Sequence, residues 1–253
     1  MKLLKTLILT TATTLMVQAI TPLEIVQKSD NIRNPNDSFY QKGLITEFQN
    51  AQKVDSMLIS IYSKKADDGQ FKTLVKILKP KKDREKLILR NGNTMWMYDP
   101  NSKAIAQMSP QQRLMGQSSS ADVMSANFAL DYTLKLEGVE SIKGGDKKMV
   151  ECYKIGMTAI SSEVSYPTVE YWVAKDTFYP IHAKFYSANG ELLKKSYYRK
   201  FQNILGAVRP TEVLIFDGVD TNKATKLSFS DFAEQEIPDF WFTKEYLSKF
   251  RGE

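Results

Sequence analysis

Residues 91–132 read NGNTMWMYDPNSKAIAQMSPQQRLMGQSSSADVMSANFALDY, and a change of pattern inside this stretch decides the fold. Asn91-Gly92 is a pair favoured in tight type I′ turns, and Asn93 to Asp99 carries the aromatic and long apolar side chains of a strand. Asp99-Pro100-Asn101 turns the chain, and Lys103 to Met108 makes a further short strand. From Ser109 to Tyr132 the two-residue alternation disappears. Pro110, two glutamines, Leu114-Met115-Gly116 and three serines replace it, followed by a short helix signal. Ser119 and Asp122 have capping-box spacing, and Met124 and Phe128 stand four apart, as on one helical face. Structureless connections of this length are uncommon in compact sheets, so residues 109–132 read as a lid or binding loop over the open side of an apolar sheet.

Working outward, the sheet grammar continues on both sides. Leu44 to Gln49, Ser56 to Ser63, Phe71 to Lys79 and Glu85 to Arg90 precede the stretch as strands, with Asp68-Gly69 as a turn pair. After it come Thr133 to Val139, Lys148 to Met157, Thr168 to Lys175, Ile181 to Ser187, Glu191 to Phe201, Val208 to Phe216 and Ala224 to Ala233. Short links suit antiparallel neighbours, because parallel pairing requires long crossovers. The expected fold is mainly β, a half-closed antiparallel barrel of about ten or eleven strands, since so long a sheet curls rather than staying flat. Thr21-Pro22-Leu23-Glu24 combines an N-cap hydroxyl, a proline at the first helical position and a carboxylate that reaches back, which predicts a helix over 22–33 ended by Asn34-Pro35. Thr243 to Lys249 reads as a short closing helix.

Strand faces carry the functional argument. In Phe71 to Leu78 one side holds Phe71, Thr73, Val75 and Ile77 and is almost wholly apolar. Such a face needs a cover, and two or three short helices give a partial one, leaving a cavity suited to acyl chains. Phe71, Val75, Ile77, Tyr98 and Met108 are its expected lining, with Trp96 and Trp172 in its floor. Met115, Met124 and Phe128 are expected on the lid, where soft side chains suit variable tails.

The N-terminus sets the expected compartment. Lys2 and Lys5 precede an uncharged Leu7 to Val17, and Val17-Gln18-Ala19 offers small residues for cleavage, so residues 1–19 read as a secretory signal peptide and 20–253 as one domain. Removing residues 1–19 would leave 234 residues at a formal charge of +4, against +6 for the whole chain. That excess is scattered and lacks the clustering of a nucleic-acid groove. The one cysteine, Cys152, excludes an internal disulfide and reads as a small buried hydrophobe.

Signals for chemistry are weak. The single histidine, His182, sits in a strand and reads as structural. Gly116-Gln117-Ser118-Ser119-Ser120 lacks the second glycine and the strand-turn-helix setting of a nucleophile elbow. One Cys and one His cannot build a zinc cluster, and Asp217-Gly218 reads better as a turn than as part of a calcium site with Asp220 and Asp231. No enzyme and no cofactor is expected.

Several segments in their order resemble the outer-membrane lipoprotein-sorting proteins, the LolA-like periplasmic carriers. These are the Thr21-Pro22-Leu23-Glu24 helix start, Trp96-Met97-Tyr98-Asp99-Pro100, and Met108-Ser109 leading to Met115-Gly116 and Asp122. Tyr171-Trp172-Val173-Ala174-Lys175-Asp176 with Tyr179-Pro180, the Asn189-Gly190 hairpin and Phe242 to Leu247 complete the match. The resemblance implies a half-closed barrel around helices that act as a lid, and a soluble, monomeric periplasmic protein that shelters the acyl chains of lipoproteins or lipids. It further implies an inner-membrane donor complex, an outer-membrane acceptor and an arginine near the cavity, for which Arg84, Arg90 and Arg113 stay open. A sensor or adaptor of the same fold, bound to a membrane transporter or signalling protein, is the alternative.

Overall fold

The computed structural model describes residues 20–92 and 94–252; the expected signal peptide lies outside the described residues. Helix α1 (Pro22–Arg33) begins as its sequence requires: the Thr21 hydroxyl accepts from Glu24 N at 3.2 Å, and the Glu24 carboxylate accepts from Thr21 N at 2.8 Å. The chain then forms β1 (Ser38–Gln49), β2 (Gln52–Lys65), β3 (Phe71–Lys79), β4 (Leu87–Asn91), β5 (Thr94–Asp99) and β6 (Ala104–Met108) as one antiparallel meander. Asn91 pairs with Thr94, so the tight turn starts one residue later than expected, at Gly92, whose φ of 58° is open to glycine without strain.

A second meander follows: β9 (Tyr132–Lys143), β10 (Met149–Ala159), β11 (Thr168–Ala174), β12 (Pro180–Tyr186), β13 (Leu192–Ile204), β14 (Ala207–Asp217) and β15 (Lys223–Glu234). Strand β15 pairs with β1, which joins the two meanders into one 13-stranded sheet with β6 and β9 at its edges. The sheet is a half-open barrel whose 13 strands match the segments read individually as strands; only the expected total of ten or eleven was low.

Topology fixes the lid. Residues 109–131 leave the sheet at one free edge, β6, and return at the other, β9, so they cross its inner side. They contain a small hairpin, β7 (Arg113–Met115) and β8 (Ser118–Ser119), a 3-10 turn at Ser120–Val123, and the one-turn helix α2 (Phe128–Asp131). The Ser119–Asp122 capping box forms, but Met124 and Phe128 do not share a helix, because the first turn stops at Val123 and the second starts at Phe128. Gly116, at φ 55°, lets the hairpin rest on the sheet: a Cβ there would come within 2.4 Å of Thr225 Oγ1, and Gln117 N donates to that hydroxyl at 2.7 Å.

The C-terminal segment covers the outer face of β2–β5. It is built from two 3-10 turns, Asp239–Phe242 and Lys244–Tyr246, in place of the expected closing helix.

Candidate functional site

The inner face of the sheet is largely apolar, and α1 and the lid fill it. Ile25 and Val26 of α1 pack with Phe128 and Tyr132 against Ile155, Tyr171 and Phe185 on β10–β12. Met115, Val123 and Met124 of the lid pack against Ile59, Val75, Ile77 and Ile88 on β2–β4. Between these two clusters remains a cavity of about 130 Å³, walled by Met124, Phe128, Tyr166, Phe185, Val213 and Phe229. A polar pocket of about 200 Å³ lies beside it at the end of α1, among Asn34, Asn36, Lys65, Asn127 and Arg209.

Of the residues singled out from sequence, Met124 and Phe128 wall the cavity. Val75, Ile77 and Met108 lie on the same inner face under the lid, Met115 belongs to the lid and packs onto that face, and Phe71, also facing inward, borders the polar pocket. Trp96, Tyr98 and Trp172 are placed elsewhere. Trp96 pairs with Leu89 and Tyr98 with Leu87 on the outer face, beneath the C-terminal segment. Trp172 is likewise external, ringed by His182 and stacked beneath Lys154 and Lys184. Alternation identified two faces correctly. It assigned these rings to the wrong one because both faces of β5 and β11 carry covered apolar side chains, which erases the polar side that marks the exterior.

Charged groups tie the lid down from beneath. Arg33 forms an ion pair with Asp30, donates to Ala126 O at 3.1 Å and lies 3.7 Å from the Phe128 ring centre. Asp30 in turn accepts from Ala129 N at 2.9 Å, so α1 holds the start of α2. Burial raises the Asp30 carboxyl, opposed chiefly by Arg33. Asp131 accepts from Gln70 Nε2 at 2.7 Å and faces Arg90 at 3.9 Å; its carboxyl too is raised by burial, against the pull of Arg90. Lys194 of β13 forms a buried ion pair with Asp122 of the lid. Of the three arginines left open, Arg90 points to the inner face and borders the cavity, while Arg84 and Arg113 are exposed.

Arg33, Asp131, Lys194 and Arg209 were missed by sequence reading. Arg209 donates to the carbonyls of Ile32, Asn34 and Pro35 at 3.1, 2.9 and 2.7 Å, capping the C-terminal end of α1. A signal for Lys194 existed: in a strand the neighbours Lys194 and Lys195 must point to opposite faces, so one of them has to enter.

A LolA superfamily protein from Nitrosomonas europaea superposes with a TM-score of 0.81 at 34% identity, over 90% of this chain and 100% of that one. The chain belongs to the LolA superfamily. A family model described as an uncharacterized protein matches residues 69–249. Two further crystal structures share the LolA-superfamily fold at 20% identity. One is a putative outer membrane lipoprotein-sorting protein domain from Vibrio parahaemolyticus, with a TM-score of 0.75 over 90% of this chain and 98% of that one. The other is a DUF1329 family protein from Desulfovibrio piger, at 0.74 over 89% and 97%. No curated protein matches the sequence. Within this LolA fold, no helix among the described residues is long and apolar enough to cross a membrane.

Proposed function

We propose that this protein is a periplasmic carrier that takes the acyl chains of a lipoprotein or lipid onto the inner face of its sheet, beneath the 109–131 lid, without covalent chemistry. One observation carries the reading: an apolar wall of β1–β4 and β9–β14 is covered by a segment that is not part of the sheet and is anchored by side-chain ties. A cavity of about 130 Å³ is smaller than the roughly 300–1,000 Å³ of ordinary ligand pockets. Cargo therefore enters by displacing the lid.

Magnitudes suit such an exchange. Burying about a dozen methylenes is worth about 10 kcal/mol. Withdrawing Met115, Val123, Met124 and Phe128 returns about 1.5–3 kcal/mol each, a similar total. Near balance lets uptake and release be tipped by an inner-membrane donor and an outer-membrane acceptor that bias the lid. The residues assigned to cargo are Val75, Ile77, Met108, Met115, Met124 and Phe128, with Phe71 at the polar end and Arg90 beside the lid.

Solvent extraction of protein purified from the periplasm, followed by mass spectrometry, tests this. Co-purified lipid or an acylated peptide at near one equivalent is expected. Protein that is empty on repeated preparation, and that fails to take up a fluorescent fatty chain, overturns the reading.

A further inference from the structure

Lys194 is the odd group in the apolar wall. It stands on β13 between the Tyr166 and Phe185 rings, 4.4 and 5.1 Å from their centres, and is 5% exposed. Its one carboxylate partner among the described residues is Asp122, which belongs to the lid and not to the sheet. Around this pair Tyr166 OH donates to Asp122 Oδ1 at 3.3 Å and shares a 2.8 Å hydrogen bond with Ser119 Oγ; Lys194 Nζ also donates to Tyr166 OH. Asp122, Tyr166 and Phe185 all border the cavity.

A buried ammonium that loses its counter-ion suffers the desolvation cost with nothing against it. When the lid withdraws, Asp122 goes with it while Lys194, fixed on a strand, stays. Arriving cargo then meets an apolar wall with Lys194 unpaired and a phenol hydroxyl at its edge; Arg90, whose looser 3.9 Å partner Asp131 leaves with the lid, is the less buried of the two cations. A neutral chain leaves that cation bare, whereas a chain ending in one anion replaces the departed carboxylate on the same donors.

We propose that Lys194, with Tyr166, is the recognition point for the anionic group of a single amphiphile, carboxylate or phosphate diester, and that Asp122 holds this place while the lid is shut. The proposal rests on the carrier reading and narrows it to anionic cargo. Lys194 is thus a specificity residue, and the lid carries an internal mimic of the ligand's head.

The test compares three probes on the intact protein by competition with a fluorescent fatty chain: oleate, oleyl alcohol and lysophosphatidylglycerol. Oleate is expected to bind at least about ten-fold tighter than oleyl alcohol. Preference for lysophosphatidylglycerol over oleate would assign the anion to a phospholipid head, and the reverse to a free fatty acid. Replacing the pair together, Lys194→Met with Asp122→Asn, leaves no unpaired buried charge and is expected to abolish the preference while both chains still bind. Equal affinity of the wild type for oleate and oleyl alcohol, or a preference that survives the double replacement, overturns the anion site and leaves the carrier reading intact. Failure of all three probes to bind overturns both.

Discussion

Two segments outside the sheet cover its two faces, and they are held in opposite ways. The C-terminal strap is fixed by rings: Trp241 and Phe250 lie 5.4 and 5.5 Å from Tyr62 and 4.8 Å from each other, with Phe242 and Leu247 fully buried beside Leu74 and Leu89. Its polar ties are exposed or reach backbone, such as Asn91 Nδ2 to Phe242 O at 2.9 Å. The lid buries apolar side chains as well, Met115, Val123, Met124 and Phe128, but adds buried charges to them, Asp122 with Lys194 and Asp131 with Arg90 and Gln70. Apolar burial stabilises by its whole area, whereas a buried ion pair returns little beyond its desolvation cost. The strap is therefore built to stay and the lid to be exchanged.

The largest expected effect breaks the strap. Phe242→Ala removes a fully buried ring and should cost about 3–5 kcal/mol in urea unfolding. A loss below about 1 kcal/mol would show that the strap, too, detaches at little cost.

A second effect comes from the outer face that neither segment reaches. His182 stacks on Tyr197 with ring centres 4.3 Å apart, and burial lowers its pKa to about 4 from 6.5. Because the folded value lies below the unfolded one, its contribution is fully present above about pH 6.5 and is lost as pH falls towards 4. Urea midpoints should fall by about 2–3 kcal/mol equivalent between pH 7 and 4.5, and His182→Phe should flatten that part of the slope. An unchanged slope in the variant would place the acid sensitivity instead in carboxylates held below their ordinary value, such as Glu170 and Asp217.

Third comes the lid's own packing. Met124→Ala is expected to cost about 1–2 kcal/mol, at or under the lower end for a buried methionine, because a lid that opens locally relaxes around the gap. Amide exchange in 113–131 should quicken while strap amides such as Trp241 stay protected. Equal quickening in both would mean lid and strap open together.

How far the sequence carried the fold depends on whether the decisive contact is local. The Thr21–Glu24 and Ser119–Asp122 boxes close within three residues and were legible, as was the end of alternation at Met108; β9 begins at Tyr132, one residue before the strand read from Thr133. Strand positions were legible for the same reason. Which face is inside was not: Leu87, Ile88 and Leu89 are all buried, so β4 carries no polar side to mark its exterior. The charged ties were invisible singly, since Asp131 meets Gln70 and Arg90, and Lys194 meets Asp122, only after the sheet has curled and the lid has crossed it. Sequence patterns show what each residue needs; distant partners supply it.

The smallest expected effect sharpens the comparison at the lid's hinge with β9. Burial raises the Asp131 carboxyl above its ordinary value, with Arg90 and Gln70 opposing. A carboxyl raised in the closed state favours closure when protonated, so that contribution is full below the ordinary aspartate range and disappears as pH rises through the raised value. At neutral pH the ionised Asp131 therefore loosens the lid relative to a neutral side chain of the same shape. Asp131→Asn keeps an acceptor for Gln70 Nε2 and removes the charge, giving up only a 3.9 Å contact to Arg90. Lid amides should then exchange more slowly at pH 7, by less than about 1 kcal/mol in opening free energy, with the difference from wild type gone near pH 4. Faster exchange at pH 7 would mean that the attraction to Arg90 outweighs the desolvation of Asp131, and that this tie is a lock after all.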